Sequence, residues 1–274
     1  MLLKKINKSI QNISKRKLSI QFSLDGFSFC ISNFEHTIYH YTAYQFDEKV
    51  TTPEALLKEI EDIFQNDRDL HDDFESVVVV HQNNLSTFVP NEYFKEDDLK
   101  SYLNFNVKTL STDFIASDDI DVMDAKNVYV PYVNINNFLF QNFGEFEYKH
   151  HATVLVEKLI SRIRNSEIHD VQFFANVSDS TFDIVVIQDQ KLEFYNCFEY
   201  NTPEDFIYYI LFTYEQLELD PSEVALNVTG SIEEGSDLYN MAYTYIKDIS
   251  FVITFMLLHQ GESVESYSNY ILLG

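Results

Sequence analysis

Eight histidines, two cysteines and 44 acidic residues are the side chains with which this 274-residue sequence could hold a metal or move a proton. Their spacing argues against both uses. His36 and His40 fall on a predicted strand, where positions four apart share a face but stand about 13 Å from one another, too far for one ion. His150 and His151 are adjacent and diverge in either a strand or a helix. All eight histidines therefore read as solvated or core residues. Asp118, Asp119, Asp121 and Asp124 resemble a calcium loop only superficially, because the bend-making glycine and the closing glutamate are missing at loop spacing. Cys30 and Cys197 lie far apart in apolar strand contexts, each at the same relative place on the strand-rich hairpin of its half, and read as small buried hydrophobes. A disulfide framework, a CxxC redox pair and a thiolate metal site are unsupported, which favours a reducing cytoplasm. The sequence contains no HExxH, GxSxG or Walker loop and no Cys–His nucleophile pairing.

The elements that would position any chemistry are written twice. Leu18–Asn33 and Val171–Tyr200 each read as strand, tight turn, strand, with Asp25-Gly26 and Asp189-Gln190 as turn pairs; Asp-Gly between β-rich runs is a strong hairpin signal. In the first half a third strand, Thr37–Phe46, precedes a helix opened by Thr52-Pro53-Glu54, whose Leu56, Leu57, Ile60, Ile63 and Phe64 share one face. Val77–Val80, four β-branched residues, predicts a strand covered on both faces. In the second half Thr202-Pro203-Glu204 opens helix Glu204–Leu217 and Val224–Val228 is the matching strand; helix Ser236–Lys247 and strand Ile249–Phe255 follow. Between these units, residues 83–126 read as an inserted subdomain, with a helix near Glu96–Phe105 and an acidic stretch Asp113–Asp124. Asn127–Val133 predicts another strand, Asn134–Phe143 a short aromatic helix, and Ala152–Asn165 the helix that joins the halves. The pattern implies an α/β fold of two ribonuclease-H-like βββαβ halves, the first over residues 18–168 and the second over 169–274.

The net charge is −25 and uneven. Six of the 19 basic residues (Lys4, Lys5, Lys8, Lys15, Arg16 and Lys17) lie in an N-terminal arm, residues 1–17, with no acid before Asp25. The remaining body repels phosphodiester backbones and anionic lipid, which disfavours nucleic acid. A basic protein is the better-matched partner electrostatically, although an acidic surface that serves solubility alone comes ahead of it. Leu2, Leu3, Ile6, Ile10 and Ile13 would share one face of a helix, so the arm could touch a membrane surface, but a free arm, or a helix packed on the acidic body of its own or a neighbouring chain, is the preferred reading. The arm has no signal-peptide pattern, and no stretch approaches the roughly 20 apolar residues of a membrane span. The longest, Phe251–Leu258, reads as a buried strand or helix piece.

With this order of elements the chain resembles the actin-like ATPase superfamily. It looks most like a family of uncharacterised Bacteroidetes proteins, a domain of unknown function, and is distantly similar to bacterial actin-like pilus-assembly and division proteins. The resemblance covers nearly the whole chain in element order. It implies two phosphate-binding loops, Asp-x-Gly-Ser/Thr after the first strand and Asp-x-Gly-Gly-Gly-Thr at the start of the second half, and a late Gly-Gly turn that receives adenosine. The acids organise magnesium and water, and the glycines let backbone N–H groups reach phosphate. Laid on the first loop, Ile20-Gln21-Phe22-Ser23-Leu24-Asp25-Gly26 puts Ser23 where the metal-organising carboxylate belongs and Asp25 where the backbone should meet phosphate. A slipped register would instead make Asp25 the acid, with Gly26 one place early. On the second loop Asn176 replaces the acid, Ser178, Asp179 and Ser180 replace all three glycines, and Thr181 follows. The late motif Val228-Thr229-Gly230-Ser231-Ile232 keeps one of two glycines. Only six glycines occur in the chain.

The sequence accordingly predicts a degenerate nucleotide cleft with no cofactor and no metal, on a cytoplasmic, non-catalytic interaction or scaffold protein. Its alternative is a divergent ATP-binding protein or kinase using magnesium and the inter-domain cleft, with Asp25, Asp179 or Asp183 as metal carboxylates.

Overall fold

The computed structural model describes residues 2–7, 15–47, 50–258, 263–266 and 269–273. The first half runs β1 (Leu2–Asn7), β2 (Lys17–Phe22), β3 (Gly26–Ser32), β4 (Ile38–Gln45), α1 (Pro53–Asn66) and β5 (Ser76–His81). The inserted part contributes β6 (Ser86–Pro90), α2 (Leu99–Leu103), β7 (Ala116–Asp119) and β8 (Ala125–Tyr129). Then come α3 (Val133–Phe143), β9 (Glu147–His150) and the linking α4 (His151–Asn165). The second half runs β10 (Gln172–Val177), β11 (Thr181–Gln188), β12 (Lys191–Glu199), α5 (Pro203–Gln216), β13 (Leu226–Gly230), α6 (Asp237–Tyr245) and β14 (Ile249–Phe251). The tail holds β15 (Thr254–Leu257), β16 (Ser263–Ser266) and α7 (Tyr270–Leu273).

The two main sheets repeat one topology. The order β4-β3-β2-β5-β9 in the first matches β12-β11-β10-β13-β14 in the second. In each, the first strand pairs antiparallel with the second and parallel with the strand that follows the helix. The helices also match. Thr52 accepts the Ala55 N–H at the start of α1, and Thr202 forms a reciprocal capping box with Asp205 at the start of α5. Leu56, Ile60 and Phe64 are buried at the same steps from the cap as Phe206, Ile210 and Tyr214. On their sheets α1 and α5 close two separate cores. A third core, built on Leu155, Val156, Leu159, Ile160 and Ile163 of α4, joins Val80 of the first sheet to Phe174, Val185 and Ile187 of the second. The two halves thus share apolar surface through the linking helix.

Four expectations are corrected. The arm is not helical over residues 2–7: it forms β1, which pairs antiparallel with β4 at the sheet edge. Pairing there satisfies the edge groups of β4, whereas a single isolated helical turn would cost nucleation without compensation. Ile10 and Ile13 lie outside the described residues. The strand expected at Asn127–Val133 ends at Tyr129 and sits between β6 and β7 in a separate three-stranded sheet, so the insertion's sheet runs past Lys126. The fifth strand of the first sheet is β9, whose Glu-Tyr-Lys-His sequence carries no apolar run. The apolar run Phe251–Leu258 divides between the end of β14 and β15. Cys30 and Cys197 are free, but they sit on the second strand of one half and the third of the other, so their positions are not equivalent. Four of the histidines, His40, His81, His150 and His151, are core residues. No helix among the described residues is long and apolar enough to cross a membrane.

Candidate functional site

The two turns expected to hold phosphate have one shape. Between β2 and β3 the Ser23 N–H donates to the Gly26 carbonyl (3.0 Å), and between β10 and β11 the Ser178 N–H donates to the Thr181 carbonyl (2.8 Å). The strand registers fix which residues correspond. Phe22 stands opposite Phe27 and His81, as Val177 stands opposite Phe182 and Gly230. Asn176 therefore corresponds to Gln21, Ser23 to Ser178 and Asp25 to Ser180. The internal repeat puts an amide, Gln21 or Asn176, at both positions where the acids belong. Ser23 lies two residues further on, in the turn.

The turns face each other and are bonded directly. Asp25 Oδ2 accepts from the Ser180 N–H (3.2 Å) and from its hydroxyl (2.8 Å). Gln82, just beyond β5, accepts from Gln21 Nε2 (2.6 Å) and donates to Ser178 Oγ (2.7 Å). Gln45 at the end of β4 donates to Asp179 Oδ2 (2.5 Å), and Asn84 donates to Glu199 (2.8 Å). The space left is about 120 Å³, lined by Gln21, Ser23, Asp25, Gly26, Asn176, Ser178, Asp179, Gly230 and Ser231, with Asn269–Ile271 from the chain's end. Small-molecule pockets run from about 300 to 1,000 Å³, so this one has room for only a few waters.

Its electrostatics oppose an anion. Burial pushes the Asp179 carboxyl up, and the neighbouring Asp25 adds to the shift, while Gln45 and Ser231 donate hydrogen bonds that hold it down. Burial, then Asp179 and Asp25, pushes the Tyr200 hydroxyl to about 12. Two carboxylates thus point at the place where phosphates would carry several negative charges. Gly230 has its own reason to be glycine. Its φ is +90°, and a Cβ there would lie 2.0 Å from the Val177 carbonyl oxygen, which accepts the Ser231 N–H at 2.7 Å. The close approach of β13 to β10 requires it. Ser180 and Thr181 face a second cavity of about 400 Å³ on the far side of the Asp25–Ser180 contact, with Leu24, Asn83, Tyr132 and Tyr200. Thr229 is fully buried in β13.

Asp183 organises a buried polar cluster behind the second turn. It accepts from His151 Nε2 (2.9 Å), Asn176 Nδ2 (2.9 Å) and the Tyr195 hydroxyl (2.9 Å). Burial alone would raise its carboxyl, but His151, Asn176 and Tyr195 more than offset this and leave it below the usual range. Burial, followed by the Asp183 charge, pushes the Cys197 thiol well up. His151, Asp183 and Cys197 offer ligand atoms within 4.8 Å of one another, yet a cation would have to replace the His151 Nε2–H bond to a carboxylate that Asn176 and Tyr195 also satisfy. Metal on Nε2 would also put a proton on His151 Nδ1, which is buried without a partner among the described residues. A second such group is His40, Asp67 and Asp69. There the Tyr44 hydroxyl (2.5 Å) and the Asp69 N–H (3.1 Å) already donate to Asp67.

The structure thus gathers Ser23, Asp25, Gly26, Asn176, Ser178, Asp179, Gly230 and Ser231 around one small space, and sets Ser180, Thr181 and Thr229 outside it. Sequence reasoning missed Gln21, Gln45 and Gln82. Amides carry no motif, and only the strand register shows that Gln21 matches Asn176.

Duplicated βββαβ halves with paired turns facing a cleft define an actin-like ATPase fold. A Bacteroides thetaiotaomicron protein described as having an actin-like ATPase fold and unknown function shares it, at 22% identity over 87% of this chain and 91% of that one, with a TM-score of 0.73. The PilM-PilN type IV pilus biogenesis complex matches at 10% identity over 86% of this chain and 88% of that one, with a TM-score of 0.56. At such identities the likeness is one of fold. The chain belongs to the family described as protein of unknown function (DUF3822), whose model matches residues 5–249. No curated protein matches it.

Proposed function

We propose that this protein is a non-catalytic interaction or scaffold protein on an actin-like ATPase fold, with no cofactor and a cleft that no longer takes a nucleotide. The observation that carries the reading is the direct bonding of the two phosphate-position turns, Asp25 to Ser180 and Gln82 to Ser178, across the cleft. Phosphoryl transfer rests on positioning and charge stabilisation, and here glycines and acids are replaced by side chains bonded to one another. Its partner is a protein, and the net charge of −25 favours a basic one over nucleic acid. Two unpaired thiols fit a cytoplasmic setting. Hydrogen exchange with and without magnesium-ATP tests the reading. Unchanged protection of residues 20–27 and 175–182 is expected, and ATP-induced protection there would overturn it.

One observation favours a second reading, a divergent ATP-binding protein or kinase. The cavity of about 400 Å³ beside Asp25 and Ser180 lies between the halves and is large enough for a small ligand. In that case Asp25, which lines both spaces, would carry the metal together with Asp179 of the smaller, adjoining one. Turnover that survives Asp25→Ala and Asp179→Ala would sink it.

A further inference from the structure

The internal repeat also shows where the halves differ. In the first sheet the third strand, β4, is paired on both sides, by β3 and by β1. Its counterpart in the second sheet, β12, is paired with β11 alone among the described residues, leaving a nine-residue open edge. The Cys197 N–H turns outward there and is taken by the side chain of Asn196 (3.0 Å). An open edge is a template for another strand.

The helix beside that edge has changed in the same half. Counted from the matching Thr-Pro-Glu starts, exposed Lys58 and Asp62 of α1 correspond to Tyr208 and Phe212 of α5. These aromatics are 61% and 43% exposed, although the buried steps of the two helices match. Tyr208 stacks on Phe212 (ring centroids 6.2 Å apart) and meets Tyr209 (5.3 Å), which stacks on Phe198 of β12 (4.5 Å). An aromatic strip therefore runs from the open edge onto the outer face of α5. Aromatic rings gathered at a surface mark a contact.

Charge names the occupant. From Leu192 to Ile246 the chain has eleven carboxylates and no lysine, arginine or histidine. The segment already covering the equivalent edge, β1, reads Leu-Leu-Lys-Lys-Ile-Asn. We infer that the open edge of β12 and the Tyr208–Phe212 strip together dock an extended, lysine-rich segment of a partner protein, which pairs with β12 as an added strand and lays apolar side chains on the two rings. Backbone pairing would supply affinity and the alternate side chains specificity. The inference rests on the interaction reading above and gives that reading a surface and a class of partner.

The test uses the whole chain and, as probe, a fluorescent peptide of residues 1–17, with a scrambled peptide and one N-methylated at alternate backbone positions as controls. Saturable binding is expected, with hydrogen exchange slowed at residues 191–199. Tyr208→Ser combined with Phe212→Ser, which removes the rings without changing the charge, should weaken it at least tenfold, and backbone N-methylation should abolish it. Both substitutions are at exposed positions, and N-methylation leaves the protein untouched. No saturable binding, equal binding by the scrambled or methylated peptide, or protection confined to residues 38–45 would overturn the inference. Magnesium-ATP titrated into the same sample separates the two failures. Bound nucleotide would remove the interaction reading, whereas absent peptide binding with no nucleotide bound would remove only the docking site.

Discussion

Replacing Gly230 by alanine separates a glycine kept for adenosine from one required by packing. The added methyl would sit 2.0 Å from the Val177 carbonyl oxygen and 2.9 Å from its carbonyl carbon and nitrogen, all backbone atoms that cannot swing aside. The end of β13 must shift by about an ångström, because carbon–oxygen contacts need a little over 3 Å. That shift loosens the pairing of Gly230 with Val177 and the 2.7 Å hydrogen bond from Ser231. Left-handed strain at φ +90° adds about 1–2 kcal/mol, and two weakened backbone hydrogen bonds about 0.5–1.5 kcal/mol each. With the steric term the loss is about 3–5 kcal/mol, less up to about 1 kcal/mol regained from the stiffer unfolded chain. For a chain of this length that is roughly 4–10 °C of melting temperature. Gly235→Ala is the control, since Gly235 has φ +83° but nothing within 4 Å of an added Cβ. It should cost about a third as much. A Gly230→Ala protein melting within about 3 °C of the parent, or no lower than Gly235→Ala, would refute the packing argument.

Two further predictions concern buried titratable groups. Burial lowers His81 to about 4 against an ordinary 6.5, with Asn136 accepting from its Nε2 and Tyr132 donating to its Nδ1. Its folded value is depressed, so the unfolded state binds more protons between these values. Stability should therefore fall by about 3 kcal/mol as pH drops from 6.5 to 4. Buried His150, also shifted down, acts in the same direction. Urea melts across that range should show the slope, and His81→Gln should reduce it; a flat profile would contradict the buried neutral ring. Asp183 is lowered below 3.8, so its contribution is present above that value and is lost as pH falls through the folded pKa. Asp183→Asn should cost on the order of 3 kcal/mol at pH 7, because it puts an amide N–H against donors that need an acceptor. It should also flatten the stability profile below pH 4. A melting temperature unchanged at pH 7 would dismiss the cluster as a structural centre.

Much of the fold was legible because its signals are local. Asp25-Gly26, the two Thr-Pro-Glu starts and the four β-branched residues Val77–Val80 each specify their element with little help from the rest of the chain. β1 and β9 were not legible, since both are strands by virtue of the edge they join. The glycine and acid losses at the cleft were visible in the sequence, but what replaced them was not. Gln21, Gln45 and Gln82 reach their partners from three separate strand ends, and their meeting with Ser178 and Asp179 depends on how the halves face each other. Gly230 looked like the remnant of a ligand motif, while its strand neighbour Val177 explains it by contact alone.

The central claim is that the cleft is bonded shut and takes no nucleotide. Calorimetric titration of the full chain with magnesium-ATP, with ADP as control, tests it most directly. The account predicts no binding tighter than about 100 μM, equivalent to about 5.5 kcal/mol, at any of several temperatures. Saturable heat at lower ATP concentrations, lost in Asp25→Ala and Asp179→Ala, would contradict it and restore a working nucleotide site between the halves.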